Sequence, residues 1–502
     1  MHGSSTGAAQ AARQPVEAPD DGGRIDRSAS AGDTRVIAIV GAGFSGTTVA
    51  IRLLREAASR PPPRTTRIVL IDPREEIGAG VVYATRDYPY PLNVGAGQMS
   101  LDADEPRDFL DFARAQGIQA IESDYLPRQV YGEYLRARFA AAKAAAPRNV
   151  SCAHRRTAVL RLQRAEEERW ELWLEDGTAL RADDVVLALG NPPPARLPQL
   201  EPIERSERYI HDPWSIGAAG DIESVLLVGS GLTMIDAALR LAAIRPRVRR
   251  IHVLSRHGWL PSAQASETRP ACNPEVGAVL EDARGSTRRL LRAFSQLMQG
   301  VTDAGGDWRE VLALARSQLP AHWQALDARE RARFLRHARA LWDIHRHRAP
   351  AAQLAALQTL SRMGVLEIHA GRLESARLVD DSVEVQWRPR GTSHSRAWLV
   401  DRVVNCTGPD GRTAKLANPL VRSLLTSGLI RGDELSLGID VAADGRVVAR
   451  DGNPVDRLYY VGPWLRARDW EATAVPELRV HAARLARHLA LTDSQDPSRA
   501  AG

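Results

Sequence analysis

The stretch Val36-Ile37-Ala38-Ile39-Val40-Gly41-Ala42-Gly43-Phe44-Ser45-Gly46 decides the fold of this chain. An apolar run of β type, 35–40, meets a Gly-x-Gly-x-x-Gly turn, and a helical pattern follows over 47–58. A second apolar run, 67–71, ends at Asp72. In this order each glycine has a task. Gly41 permits the tight turn, Gly43 lets the backbone approach a pyrophosphate, and Gly46 lets helix and strand pack closely. Ala42, Phe44 and Ser45 complete the turn, whose amides open a helix N-terminus suited to an anion. Asp72, at the carboxyl end of the next strand, is placed to accept hydrogen bonds from the ribose of an adenosine moiety. It falls later than the usual spacing because Pro61-Pro62-Pro63 breaks the helix and lengthens the loop.

The same order recurs farther on. A strand over 224–228 leads to Gly229-Ser230-Gly231, a helix over 232–242 and a second strand over 250–254. Here the third glycine is replaced by Met234, too bulky for the closest helix packing. The strand ends in Ser255-Arg256-His257, which offers a guanidinium where the first unit has a carboxylate. Arg256 either pairs with a 2′-phosphate, which selects NADPH over NADH, or is one more surface arginine. Paired strands are predicted at 158–162 and 170–174, with Asp176-Gly177 as the turn that leads into 184–190. A run at 382–388 followed by 398–405 parallels that segment.

Between the strands of the second half, 274–364 reads as a helical insertion rich in Arg, Ala, Leu and Trp. Its cluster Trp342-Asp343-Ile344-His345-Arg346-His347-Arg348 either lines a substrate pocket through His345 or forms a solvated basic face. No metal site is expected there. Asp343 and His347 stand one helical turn apart while His345 points elsewhere, which leaves two convergent ligands.

Composition bounds the rest. The 502 residues, 44% hydrophobic and 25% charged, suit two or three globular domains. A net charge of +6 is carried almost wholly by arginine, Lys143 and Lys415 being the only lysines, and the bases are interspersed with acids. Nucleic-acid binding is therefore set aside. Cys152, Cys272 and Cys406 lie far apart without a Cys-x-x-Cys pair, which argues against a flavin disulfide reductase. No run is long and apolar enough for a bilayer, and 1–34 lacks the apolar core of a signal peptide. A cytoplasmic protein without membrane contact is expected.

The chain resembles the bacterial FAD/NAD(P)-binding flavoproteins with two dinucleotide-binding domains, a group that includes FAD-dependent urate hydroxylase and related flavin monooxygenases. The resemblance spans about 36–489. It rests on the first glycine turn, Gly78-Ala79-Gly80-Val81-Val82-Tyr83, Pro91-Leu92-Asn93-Val94 with Met99-Ser100, and Gly229-Ser230-Gly231-Leu232-Thr233-Met234-Ile235-Asp236. Ser255-Arg256-His257-Gly258, Asn405-Cys406-Thr407-Gly408-Pro409 and Tyr459-Tyr460-Val461-Gly462-Pro463 with Trp470-Glu471-Ala472-Thr473-Ala474 extend it. It implies FAD in the first unit, contacts from Gly462 and the Ala474 region to the flavin, and Gly408 among the cofactor-binding residues. Asn93 either faces the flavin or substrate or caps its own loop, and Trp464 and Glu471 stand in the same two readings.

The fold expected is α/β, two Rossmann-like domains of the glutathione-reductase type with a helical insertion. A tail over 1–34 precedes an FAD domain over 35–218. The NAD(P) domain then spans 219–400, the remainder of the FAD domain 401–490, and a second tail 491–502. The function expected is an FAD-dependent, NADPH-consuming monooxygenase that acts with molecular oxygen on a small polar molecule, a purine such as urate or an amine. A reductase passing electrons to a partner and a nucleotide-binding protein without turnover are the alternatives.

Overall fold

The computed structural model describes residues 34–218, 222–244, 247–265, 272 and 274–494. The tails expected over 1–34 and 491–502 fall outside these residues except at Thr34 and 491–494, and at both edges the chain is ordered further than expected. Thr34 opens the first strand, and the last helix runs on to Ser494.

The first domain is a six-stranded sheet. Its strands are β1 (Thr34–Val40), β2 (Thr65–Ile71), β3 (Val150–Arg155), β7 (Asp184–Leu187), β15 (Arg446–Val448) and β16 (Pro454–Tyr460), in the order β15-β16-β7-β1-β2-β3. All neighbours pair in parallel except β15 with β16. The continuous apolar run of β1 follows from burial on both faces. Ile37 and Ile39 pack under α1 (Phe44–Ser59), α2 (Asp108–Ala115), α3 (Arg128–Ala144) and α13 (Val475–Ser494). Val36, Ala38 and Val40 face the small antiparallel sheet of β4 (Val159–Arg164), β5 (Trp170–Leu174) and β6 (Ala179–Ala182), together with α12 (Pro419–Ser427). Arg35, 3% exposed, ties the layers together. Its Nε and Nη2 donate to Asp184 Oδ2 at 2.9 and 2.7 Å, and its Nη1 donates to the Leu489 carbonyl at 2.9 Å.

The second domain repeats the plan. A seven-stranded sheet has the order β13-β12-β11-β10-β9-β14-β8. Its members are β8 (Tyr209–Ile210), β9 (Ser224–Val228), β10 (Arg250–Ser255), β11 (Leu366–Val379), β12 (Ser382–Pro389), β13 (Arg396–Val400) and β14 (Arg402–Asn405). Strands β11, β10, β9, β14 and β8 are mutually parallel, while β12 and β13 turn back as an antiparallel ribbon. Helix α4 (Leu232–Ile244) covers one face. Two boundaries are thereby corrected, since β8 and β14 lie in the second sheet rather than in the 35–218 and 401–490 pieces. The run expected over 398–405 is also two strands. It breaks at Asp401, whose carboxylate accepts the Glu223 and Ser224 amides at 2.8 and 2.9 Å.

Among the described residues between β10 and β11 stand seven helices: α5 (Val276–Asp282), α6 (Thr287–Asp303), α7 (Arg309–Ala315), α8 (Leu319–Ala325), α9 (Ala328–His337), α10 (Arg339–Arg346) and α11 (Ala351–Arg362). Helices α5 to α10 share an apolar core of their own around Phe294, Trp323 and Trp342, which also takes in Trp470 of the first domain. The two sheet domains meet where Arg128 donates to Asp236 at 2.7 Å, both buried, and Gln353 donates to the other Asp236 oxygen at 3.2 Å. Among the described residues no helix is long and apolar enough to cross a membrane.

Candidate dinucleotide and substrate sites

At the end of β1 the Gly41 N–H donates to the Ile71 carbonyl at 2.8 Å with φ +106°, and a side chain there would collide with the Ala188 carbonyl. Gly46 presses against the Gly41 carbonyl, so it too admits no Cβ. Gly43 differs from both. Apart from the Gly80 Cα at 3.8 Å, nothing stands where its Cβ would be. No side chain caps α1, which starts at Phe44, so the first-turn amides beyond Gly43 are left without a side-chain acceptor. An open cradle beside an uncapped helix start is what a pyrophosphate requires. Gly78 donates to the Ala42 carbonyl at 2.8 Å, which brings the Gly78-Ala79-Gly80 segment alongside.

Asp72 sits at the end of β2 as expected, but its acceptor sites are engaged differently. Oδ2 accepts the Ala42 N–H at 2.8 Å and Arg74 Nη2 at 2.8 Å, while Oδ1 accepts the Arg74 N–H at 3.0 Å and Nε at 2.9 Å. Burial works to raise its pKa, yet the Arg74 guanidinium and two amides outweigh it and hold the carboxyl below the ordinary value. A carboxylate offers about four acceptor sites. The half-exposed Arg74 and the two amides thus already engage the carboxylate that is expected to accept from a ribose.

The second turn has its Gly229 N–H on the Leu254 carbonyl at 2.9 Å, and Gly231 has open space around its missing Cβ. Gly408, expected among the cofactor residues, follows β14 with φ +82°, next to the Cys406 carbonyl against which Gly229 packs. Arg256 is exposed and lines a cleft of about 460 Å³ with His257, Arg372, Arg388, Arg390 and Thr392. His257 Nδ1 accepts from Arg390 Nη1 at 3.0 Å, and the His257 ring stacks on Trp259 at 4.4 Å. Partial burial, then the charges of Arg390 and Arg256, hold the His257 pKa below its usual value, so the guanidiniums carry the charge of the cleft. Sequence reading missed Arg372, Arg388 and Arg390. Only the alternating run 382–388 hinted at the ribbon that brings them here.

The remaining candidates separate. The Asn93 carbonyl accepts Gln264 Nε2 at 2.9 Å, the Gln264 Oε1 accepts Arg348 Nε at 2.9 Å, and Arg348 Nη1 donates to the His345 carbonyl at 3.2 Å. Asn93 and His345 are thus joined at one junction between the first domain and the insertion. Burial first, then Arg346 and Arg309, lower the Arg348 pKa to about 10, leaving it a cation among cations. Trp464, expected as a pocket candidate, is instead a core residue, 4% exposed and stacked on Tyr460 at 5.7 Å. Glu471 is also committed. It is 2% exposed, accepts Trp342 Nε1 at 3.1 Å and pairs with Arg346. The Ala474 carbonyl accepts the Leu478 N–H at 3.0 Å and opens α13, and Gly462 with φ +144° closes the strand before it. Asp343 stands 3.4 Å from Arg339 and 3.7 Å from Arg466, and 3.8 Å from His347, whose pKa burial lowers to about 4.

Residues 38–192 match the family model described as FAD-NAD(P)-binding. No curated protein sequence matches the chain. Solved structures share the fold along nearly its whole length. The ornithine N-hydroxylase of Kutzneria sp. 744, determined with reduced FAD, NADP+ and L-ornithine, is 14% identical with a TM-score of 0.55, covering 91% of this chain and 99% of that one. The FAD-bound cadaverine monooxygenase of Erwinia amylovora is 13% identical with a TM-score of 0.60, covering 90% and 94%. The bacillithiol disulfide reductase of Staphylococcus aureus is 13% identical with a TM-score of 0.51, covering 92% and 99%. The fold is the two-domain, Rossmann-like one that these structures share, residues 38–192 carry the FAD-NAD(P)-binding match, and none of these comparisons points to urate hydroxylase.

Proposed function

We propose, on the premise of a chain whose residues 38–192 match the FAD-NAD(P)-binding family, that it is an FAD-dependent monooxygenase that consumes NADPH and hydroxylates a small polar amine. The observation that carries this reading is the clamp between the insertion and the segment that opens α13. Trp323 Nε1 donates to the Ala467 carbonyl at 3.0 Å, Gln324 donates to Asp469 at 2.8 Å, Arg346 pairs with Glu471 and Glu477, and Arg316 pairs with Glu477. A reductase that hands electrons to a partner has no need to bury this segment, whereas oxygen chemistry requires water to be kept out. FAD supplies hydride acceptance and oxygen activation. The chain's own residues bind and orient. Gly41, Ala42, Gly43, Phe44, Ser45 and Gly46 hold the FAD pyrophosphate, with Asp72 and Arg74 at its adenosine end and Gly462 and Ala474 toward the flavin. Gly229, Gly231, Gly408 and Arg256 receive NADPH, and the arginine cleft favours its 2′-phosphate.

A dithiol mechanism is disfavoured by the cysteines. Cys152 and Cys406 are both buried, and burial raises the Cys152 thiol to about 12 and pushes that of Cys406 higher still. The amine is preferred over a purine because fold neighbours hydroxylate ornithine and cadaverine. Arg348 at the Asn93 junction, with the Arg309 charge beside it, suits an amine that also bears a carboxylate.

The test is anaerobic reduction of the yellow protein with NADPH and with NADH, then reoxidation by oxygen with ornithine, lysine, cadaverine or urate. Faster bleaching with NADPH and an N-hydroxylated product stoichiometric with NADPH are expected. Hydrogen peroxide as the sole oxygen product with every amine would return the chain to the reductase reading.

A further inference from the structure

Strand β10 sends Ile251 and Val253 to the α4 side and Leu254 to the opposite core. His252 is the buried polar residue of this strand, 5% exposed, while Arg250 and Ser255 at its ends are less covered. Glu367 is its register partner on parallel β11, and His369 follows two residues later, so all three project from one face. The His252 Nδ1 lies 3.6 Å from Glu367 Oε2, beyond hydrogen-bond reach, and it has no hydrogen-bond partner. His369 Nε2 lies 3.2 Å from the same oxygen, and one nitrogen or oxygen from each residue falls within 4.8 Å of the others.

We propose that His252, Glu367 and His369 form a binding site for a first-row divalent cation of the zinc class. Two imidazoles and a carboxylate are the borderline donors such ions prefer, and a fourth position stays open to water. Bonds of about 2.0–2.2 Å set tetrahedral ligands roughly 3.4 Å apart, close to the two spacings observed. A hydrogen bond between His369 and Glu367 explains two of the residues. It leaves the buried His252 nitrogen unanswered, and buried polar atoms are rarely left so. Trp398 of β13 stacks on His252 at 4.6 Å and 14°, stands 4.9 Å from His369, and is itself stacked on Trp387 at 4.3 Å. These rings fix both imidazoles, as the outer partners of metal ligands do. Glu367, 48% exposed in its side chain, leaves the way in open, and the Arg250 charge acts on His252 from its own strand. Among the described residues this is the one group of three or more such donors.

The test does not depend on the enzyme reading. The full-length chain, freed of metal by chelator and dialysed, is titrated calorimetrically with Zn2+, and with Co2+ while its visible absorption is followed. One saturable equivalent with the visible bands of low-coordinate cobalt is expected. Glu367→Gln and His369→Gln alter groups that reach solvent and should leave the circular dichroism unchanged while weakening binding by about tenfold or more. Absence of saturable binding, or affinity unchanged in both variants, overturns the site. The second outcome would place the metal elsewhere on the chain.

Discussion

The two glycine turns hold the same backbone and choose different company. Gly41 and Gly229 take φ of +106° and +112°, and each donates to the last carbonyl level of the neighbouring strand. Ala188 and Cys406 accept the same close approach and donate their own N–H groups to Val40 and Val228, both at 2.8 Å. One residue later the halves part. The Ala42 amide is held by the Asp72 carboxylate, which Arg74 neutralises, whereas the Ser230 hydroxyl bonds Ser255 Oγ at 2.9 Å and the Trp259 carbonyl at 2.6 Å. The first turn therefore ends in a closed acid–base pair and the second beside an open cleft of arginines. Steric demand is common to both sites, and charge selection is what distinguishes them.

Three variants test that contrast. Gly43→Val should cause the largest loss, because its side chain enters space that only the pyrophosphate needs. Flavin content after purification should fall to near zero while the circular dichroism stays native, and a yellow variant would remove the first site. Gly231→Val is the mirror experiment. Flavin should be retained while kcat/KM for NADPH drops by about one to two orders of magnitude, as read by stopped-flow reduction. Loss of flavin in this variant would mean that the two turns are not separate sites. Arg256→Ala should have the smallest effect, since Arg372, Arg388 and Arg390 remain in the cleft. A charge-assisted contact is worth about 1.5–3 kcal/mol when lost outright, and with three guanidiniums left to share the phosphate only part of it goes, so kcat/KM for NADPH should fall by about three- to tenfold, with NADH nearly unchanged. Equal losses for both coenzymes would reject the phosphate role.

Much of this was legible in the sequence because it is local. The strand-turn-helix order at Val36 to Gly46 and again at Ser224 to Leu232 needs only neighbours to be read, and Met234 fits because its side chain points into the second core. What escaped depends on long-range placement. Arg390 reaches Arg256 only because β12 turns back on β11, and Tyr209-Ile210 joins the second sheet by pairing with β14 nearly two hundred residues later. Trp464 looked like a pocket residue in isolation, but its stacking on Tyr460 makes it core. Asp72 was located correctly, although nothing in its own strand announced that Arg74, two residues on, folds back over it.

The Arg35 guanidinium reaches across to Asp184 and to the carbonyl of Leu489, so the opening strand is fastened to the closing helix. During synthesis the amino-terminal half leaves the ribosome long before α13 exists. Its sheet must then wait, unfinished on the α1 side, while the second domain and the insertion are made. Uptake of FAD is therefore expected only after α13 has been made, and a nascent chain stalled before 475 should emerge colourless.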